Sequence, residues 1–234
     1  MTVALVEYDD APPEPPQGLK PGERFVKLRS GPRTRAERDE VATNRHGELL
    51  APLIAAVLDE ANATPQDLAA IGVGLGPGPF TGLRVGIVTA KAMGDALGIA
   101  TYGECSLDVI ARGYGHDDNR FAVLADARRK QVYWRLYNEI GNPIGDPELS
   151  PPDAVAESIR GQAGEVVGAG AQLYRDSFAE FTVIDGHSYP RAAQLGAMVA
   201  GRLWTKPASE ELRPLYLRRP DAQPPGAPKR VTPV

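Results

Sequence analysis

The sequence predicts an α/β fold in two lobes, and three observations carry that prediction. Apolar runs of strand length alternate with longer stretches of helical period. The alternation restarts after residue 101 with a β-hairpin and a second set of helices. At 234 residues, the chain suits one large domain or two small lobes.

Along the first lobe, Thr2–Tyr8 alternates apolar and polar residues and reads as a strand. Asp9–Pro32 holds six prolines without helical period, which predicts a long connection or insertion. The charged stretch Thr34–Glu40 reads as a polar edge strand. A helix is expected over Asn44–Asn62, where Leu49, Leu50, Leu53, Ile54, Val57, Leu58 and Ala61 recur at helical spacing, with Pro52 bending its first turns. Thr64 caps a short helix with Pro65 at its first position. Ala70–Leu75 is an apolar run bounded by glycine and reads as a buried strand. After the tight loop Gly76-Pro77-Gly78-Pro79-Phe80, Thr81 caps a helix to about Leu97.

In the second lobe, strands are expected at Phe121–Ala125 and Gln131–Tyr137 around the turn Asp126-Ala127-Arg128-Arg129-Lys130. A short helix follows at Ser150–Arg160, then strands at Glu165–Gly168 and Phe181–Ile184, then a helix at Pro190–Trp204. The domain reading is 1–100 for the first lobe, with 9–32 as its insertion, 101–205 for the second, smaller lobe, and 206–234 for a proline-rich tail. That tail has six basic residues against three acidic ones.

Composition narrows the function. With 42% hydrophobic residues the chain can build a core, which excludes a wholly disordered protein. No apolar run approaches ~18 residues, and the N-terminus lacks a basic, secretory-type start. Cys105, the single cysteine, excludes an internal disulfide framework and a cysteine-rich zinc site, so a reducing cytoplasm is the expected location. The balance of 26 basic and 30 acidic residues gives a net charge of −4, which argues against gripping nucleic acid unaided.

Few constellations carry chemistry. The Gly76–Gly82 loop resembles a phosphate cradle but lacks the Gly-Lys-Ser/Thr ending and the dinucleotide glycine spacing, and two of its residues are prolines without an amide donor. A rigid strand-to-helix turn is the favoured reading. His46, His116 and His187 stand at no metal-ligand spacing. Cys105 lies beside Glu104 and Asp108, which raise a thiol pKa and argue against a nucleophile. The turn at Asp126, Arg128, Arg129 and Lys130 has two readings that the residues leave open: an anion or RNA-phosphate contact, or an exposed tip with internal ion pairs.

The most informative feature is a missing polar stripe. Leu49–Leu58 has no polar side chain, and Thr81–Leu97 shows only the narrow row Arg84, Lys91 and Asp95. Gly82, Gly86, Ala90 and Gly94 recur four apart as a ridge of small residues. Two helices apolar nearly all round predict a helical protein interface. The competing reading covers them with the chain's own proline-rich segment or C-terminal helix.

Four marks in order now support a resemblance: Asn44-Arg45-His46-Gly47-Glu48-Leu49-Leu50; Gly76-Pro77-Gly78-Pro79-Phe80-Thr81-Gly82-Leu83-Arg84-Val85-Gly86; Asp126-Ala127-Arg128-Arg129-Lys130-Gln131-Val132-Tyr133-Trp134; and Pro214-Leu215-Tyr216-Leu217-Arg218-Arg219-Pro220-Asp221-Ala222. They resemble the TsaB family, the dimerisation subunits of the tRNA threonylcarbamoyladenosine transferase complex. The resemblance implies a two-lobed fold of the actin (RNase H-like) type. It implies a non-catalytic scaffold that pairs with a TsaD-like catalytic subunit, is joined by a TsaE-like ATPase, and meets tRNA only through the complex. The two apolar helices, 44–61 and 81–97, are themselves expected to serve a homodimer when that subunit is missing. The threonylcarbamoyl group goes to the adenosine 3′ of the anticodon in tRNAs reading codons that begin with A. The resemblance implies no cofactor of the chain's own, with ATP or ADP at a subunit interface of the complex, and no catalytic or metal residues. A TsaD-like metal site uses a histidine pair, and the matching stretch Cys105–Val109 has none. The implied partner surface is His46, Leu49, Leu50, Leu53, Val57, Thr81, Gly82, Arg84, Val85, Gly86 and Val88. The competing class is a stand-alone ATP-using enzyme or protease of the same fold. One departure stands out: the family opens with an apolar strand ending in Asp-Thr, upstream of the segment matching Thr2–Val6. A misplaced start or a truncation is the expected reason.

Overall fold

The computed structural model describes residues 1–7, 32–40, 46–114, 119–203 and 209–218, with the backbone alone at His46. The expected 9–32 connection, apart from Pro32, lies outside the described residues, as do Asn44, His116, Trp204 and the tail beyond Arg218.

The first lobe is built from four strands in two separate pairs. β1 (Thr2–Glu7) pairs antiparallel with β2 (Arg33–Asp39), with a register shift between Leu5 and Val6. Helix α1 (His46–Glu60) lays Val57 and its neighbour Ala61 against Val3, Leu5 and Ala36. β3 (Ala70–Gly76) runs parallel to β4 (Ala100–Cys105), and α2 (Phe80–Leu97) crosses between them. Gly98 takes φ 66° where α2 ends, the left-handed cap glycine adopts readily. No ladder joins β1 to β3 among the described residues.

The alternation in β3 explains how the pairs are held. Ile71, Val73 and Leu75 face α2 and pack with Ile87, Ala90 and Leu212. Gly72 and Gly74 face the other way. A Cβ at Gly72 would lie 2.4 Å from Leu195 and 2.7 Å from Val199. Both residues belong to α6 (Ala192–Leu203), which also places Gly196 against Val6, where a Cβ would come within 2.5 Å. The helix thus lies close on both strand pairs because glycine stands at each contact.

The second lobe is one five-stranded sheet in the order β7-β6-β5-β8-β9. β5 (Phe121–Asp126) is central. β6 (Val132–Tyr137) and β7 (Pro143–Ser150) extend it antiparallel, and β8 (Glu165–Val167) and β9 (Thr182–Ile184) extend it parallel. One face packs on α4 (Pro152–Ile159), α5 (Ala169–Leu173) and Phe178; the other packs on α3 (Ser106–Tyr114) through Leu107, Ile110 and Ala111.

Three features differ from the sequence reading. α6, read as part of the second lobe, packs on β1 and β3 of the first, where its Leu195 and Val199 meet Gly72 and its Gly196 meets Val6. The boundary at 100/101 falls at the start of β4, which pairs with β3 and so belongs to the first lobe. β7 and α3 were not expected. β7 carries Pro143, Gly145 and Pro147 on an exposed edge, where a strand needs no alternating pattern. α3 is only nine residues long and follows β4 directly, with no loop between them to mark its start.

Replacing Gly196 by Val should cost about 2 kcal/mol through overpacking against Val6. A thermal melt followed by circular dichroism should then show Tm lower by about 4–8 °C.

Candidate functional site

Helices α1 and α2 pack side by side, each covering one strand pair. Of the residues expected at a partner surface, Thr81, Arg84 and Val88 are exposed, with Val88 at 64%. Leu49, Leu50, Leu53, Gly82 and Val85 are half-buried, and His46 is the first residue of α1. Val57 is 2% exposed and belongs to the chain's own core. Gly86 looks inward: a Cβ there meets Val73 of β3 at 3.5 Å. Further along, a Cβ at Gly94 would lie 2.4 Å from Thr101 of β4. The small-residue ridge is therefore the face that lets α2 settle on its own sheet, which corrects the expectation for Val57 and Gly86. What remains outward includes the small residues Ala51, Pro52 and Ala55 of α1 with Thr81, Val88 and Ala92 of α2, interleaved on α2 with the exposed charges Arg84, Lys91 and Asp95.

At the start of α2 the structure brings together a cluster that spacing could not reveal. The Phe80 and Tyr216 rings lie 4.9 Å apart, and the Arg84 guanidinium sits 3.9 Å from the Phe80 centroid. Arg84 Nε donates to the Tyr216 hydroxyl at 3.0 Å across 132 residues of sequence. Tyr216 gets there on the segment 209–218, which straps both lobes. Glu210 N–H donates to Thr101 O at 2.9 Å, and Leu215 N–H to Leu75 O at 2.8 Å. Leu215 also packs on the second lobe's core. Its family-like Pro-Leu-Tyr-Leu-Arg run was the signal available in sequence.

The strap ends on the β5–β6 turn. Arg218 donates to Gln131 Oε1 at 2.6 Å and to the Arg128 carbonyl at 3.5 Å. Arg128, Arg129 and Lys130 all have positive φ, at 61°, 55° and 55°. Each such residue bearing a Cβ costs about 1–2 kcal/mol. Asp126 holds the turn, accepting Arg128 N–H at 2.8 Å, with Arg128 Nε 3.6 Å from its other oxygen. The internal ion pair of one reading is thus present, while the Arg128 side chain stays 83% exposed.

The remaining groups offer little chemistry. In the Gly76–Gly82 loop, a Cβ at Gly76 would lie 2.8 Å from Leu83, and Pro79 caps α2 without an amide to give. Among the described residues, no three His, Cys, Asp or Glu gather as metal ligands. Asp108 takes both oxygens to Arg135, at 3.0 and 3.1 Å, and accepts the Tyr137 hydroxyl at 2.6 Å. Burial, then Asp108, pushes the Cys105 thiol up to about 11, and burial raises the Tyr137 hydroxyl further still above its ordinary value. A cavity of about 190 Å³ beside α3 is lined by His187 and Arg191, but Arg191 is tied to Glu37 at 2.5 Å. No described helix is long and apolar enough to cross a membrane.

Gly86→Ala should be neutral or stabilising by up to ~1 kcal/mol, since its Cβ makes an ordinary contact and helix propensity improves. Gly86→Leu should lower the melting temperature of the isolated chain, because the longer side chain is driven into Val73. Cys105 should resist an aromatic disulfide reagent at pH 8 and react once urea unfolds the chain. Because its folded pKa lies above the ordinary value of 9, its contribution to stability is complete below pH 9. It is lost as pH rises toward 11, by about 2–3 kcal/mol in a chemical-denaturation series.

Comparison with known proteins agrees with this architecture. A family model described as TsaD, tRNA N6-adenosine threonylcarbamoyltransferase, matches residues 38–186. An uncharacterized protein of Mycobacterium bovis is 43% identical over 189 residues, covering 80% of this chain and 82% of that protein. The tRNA threonylcarbamoyladenosine biosynthesis protein TsaB of Escherichia coli is 29% identical over 192 residues, covering 76% of this chain and 83% of its own. The TsaB protein of Bacillus subtilis is 37% identical over 92 residues, covering 39% and 40%. Among solved structures, YeaZ from Pseudomonas aeruginosa superposes with a TM-score of 0.65 at 27% identity, covering 79% of this chain and 90% of that one. YeaZ is TsaB under another name. The two-lobed actin-like fold and these relatives together place the chain in the TsaB family.

Proposed function

We propose that this chain is a non-catalytic subunit in the formation of threonylcarbamoyladenosine in tRNA, acting by pairing with a TsaD-like catalytic subunit. The observation that carries this reading is the run of small outward residues across α1 and α2. Ala51, Ala55, Val88 and Ala92 lie outward on two adjacent helices, and small side chains let a partner helix approach closely. The same strip serves a homodimer when the partner is absent, and a TsaE-like ATPase joins the assembled pair. ATP or ADP, where it takes part, sits at a subunit interface rather than in the Gly76–Gly82 loop. tRNA is engaged within the complex, in the cytoplasm.

The alternative, a stand-alone ATP-using enzyme or protease, draws on Asp126 at the end of β5. That carboxylate is already occupied by the backbone and side chain of its own turn.

Pairing Ala55→Arg with Val88→Arg puts two charges into the strip at exposed positions, so the unfolding free energy should hold within about 1 kcal/mol. Co-purification with the cognate TsaD-like subunit, and elution as a dimer without it, should both be lost. Retention of both by the double variant overturns the interface. ATP turnover by the isolated chain that disappears in Asp126→Asn overturns the non-catalytic reading.

A further inference from the structure

We infer that residues 209–218 act as a strap that docks and releases as one unit, so that the start of α2 in the first lobe and the β5–β6 turn in the second are ordered together. The device belongs to the isolated chain and stands apart from the pairing proposed above.

The strap has no helix or strand of its own, and its anchors fall on separate elements. At its start, the Thr101 N–H donates to Ser209 Oγ at 3.1 Å, the Glu210 N–H donates to Thr101 O at 2.9 Å, and the Glu210 carboxylate pairs with Arg202 of α6. Leu212 is 4% exposed and packs with Ile87 and Ala90 of α2. The Leu215 N–H donates to Leu75 O at 2.8 Å, and its side chain packs against the second lobe's core. Ordering an extended segment costs backbone entropy at every residue, more in sum than any one of these contacts returns. Each anchor therefore holds only while its neighbours keep the chain in place, and segments of this kind open cooperatively.

The two elements met by the strap's far end each lack something that the strap supplies. Helix α2 opens at Phe80 behind Pro79, which contributes no side-chain cap. Its first turn is braced instead by Tyr216, whose ring lies 4.9 Å from that of Phe80 and whose hydroxyl accepts from Arg84 Nε at 3.0 Å. The β5–β6 turn places three successive residues that carry a Cβ, Arg128, Arg129 and Lys130, in the left-handed region. Such backbone persists only where its surroundings over-determine it. Asp126 supplies one constraint from within the turn, accepting the Arg128 N–H at 2.8 Å. Arg218 supplies another from outside, donating to Gln131 Oε1 at 2.6 Å and to the Arg128 carbonyl at 3.5 Å. In the chain, Leu217 alone separates Tyr216 from Arg218. A strap that leaves Phe80 thus leaves the turn as well, and a turn that relaxes releases Arg218 and with it the brace on α2. By linkage the coupling runs equally in both directions.

The test is native-state hydrogen exchange of the full chain, read by NMR at one amide on each element. Leu83 reports on the first turn of α2, where its N–H donates to Pro79 O, and Gln131 reports on the β5–β6 turn, where its N–H donates to Arg128 O. Arg218→Ala should speed exchange at Leu83 about tenfold, and Tyr216→Ala should do the same at Gln131, each effect crossing from one lobe to the other. The double variant should exchange no faster at either amide than the faster single variant, since one release frees both ends. Val123 and Leu124 in the centre of the second sheet should keep their wild-type rates, which shows that the lobe stays folded. Where Tyr216→Ala speeds those amides as well, Tyr216→Phe is read in its place: it removes the hydroxyl, keeps the ring, and should give a smaller change at Gln131 in the same direction. Exchange that rises only at the end that was altered, or effects that add in the double variant, overturns the inference and leaves two independent contacts.

Discussion

The close seating of α6 on the first-lobe strands is the contact on which the rest of the structure depends. β1–β2 and β3–β4 share no ladder among the described residues, so their relation is set by helices rather than by backbone hydrogen bonds. α6 reaches both pairs because Gly72 on β3 and Gly196 on the helix remove the side chains that would hold them apart. The opposite face of β3 presents Ile71, Val73 and Leu75 to α2, and Gly86 and Gly94 bring that helix down in turn. Glycine in this lobe serves packing on both faces of one strand.

A second level of organisation follows from the end of α6. Arg202 reaches Glu104 of β4 at 2.5 Å, the Gly103 carbonyl at 3.3 Å, and Glu210 at the start of the strap. Burial raises the Glu104 pKa, and the adjoining guanidinium works against that shift. One cation therefore joins the helix, the sheet and the strap, and fixes where residues 209–218 begin. From there the backbone bonds at Thr101 and Leu75 guide the strap to α2 and to the second lobe's turn. The start of α2 and the β5–β6 turn, parts of separate lobes, are thus both tied to one extended segment.

The surfaces divide along chemical lines. The strip on α1 and α2 is built of small side chains, which suits helix-on-helix approach. The β5–β6 turn carries long, exposed cationic side chains around the engaged Asp126. Tyr137 and Cys105 are buried between α3 and the second sheet, with the Asp108–Arg135 ion pair half-buried beside them.

The sequence by itself determined the alternation of strands and helices, the apolar character of α1 and α2, and the marks of the TsaB family. These are local properties, carried by period, by turn residues and by contiguous motifs. It also favoured a rigid turn over a phosphate cradle at Gly76–Gly82, because Pro77 and Pro79 lack amides. Which face of α2 points outward was decided only in three dimensions, because a helix apolar all round gives period no phase. The inward Gly86 and Val57 and the outward Val88 follow from where β3 and β1 lie. Likewise α6 was assigned to the wrong lobe, since its contacts with Val6 and Gly72 span more than a hundred residues of chain. The meeting of Phe80 and Arg84 with Tyr216, and of Arg128 with Arg218, has the same origin. Each residue was visible in its own segment, but only the folded strap, tied by backbone hydrogen bonds that carry no sequence signature, brings each to its partner.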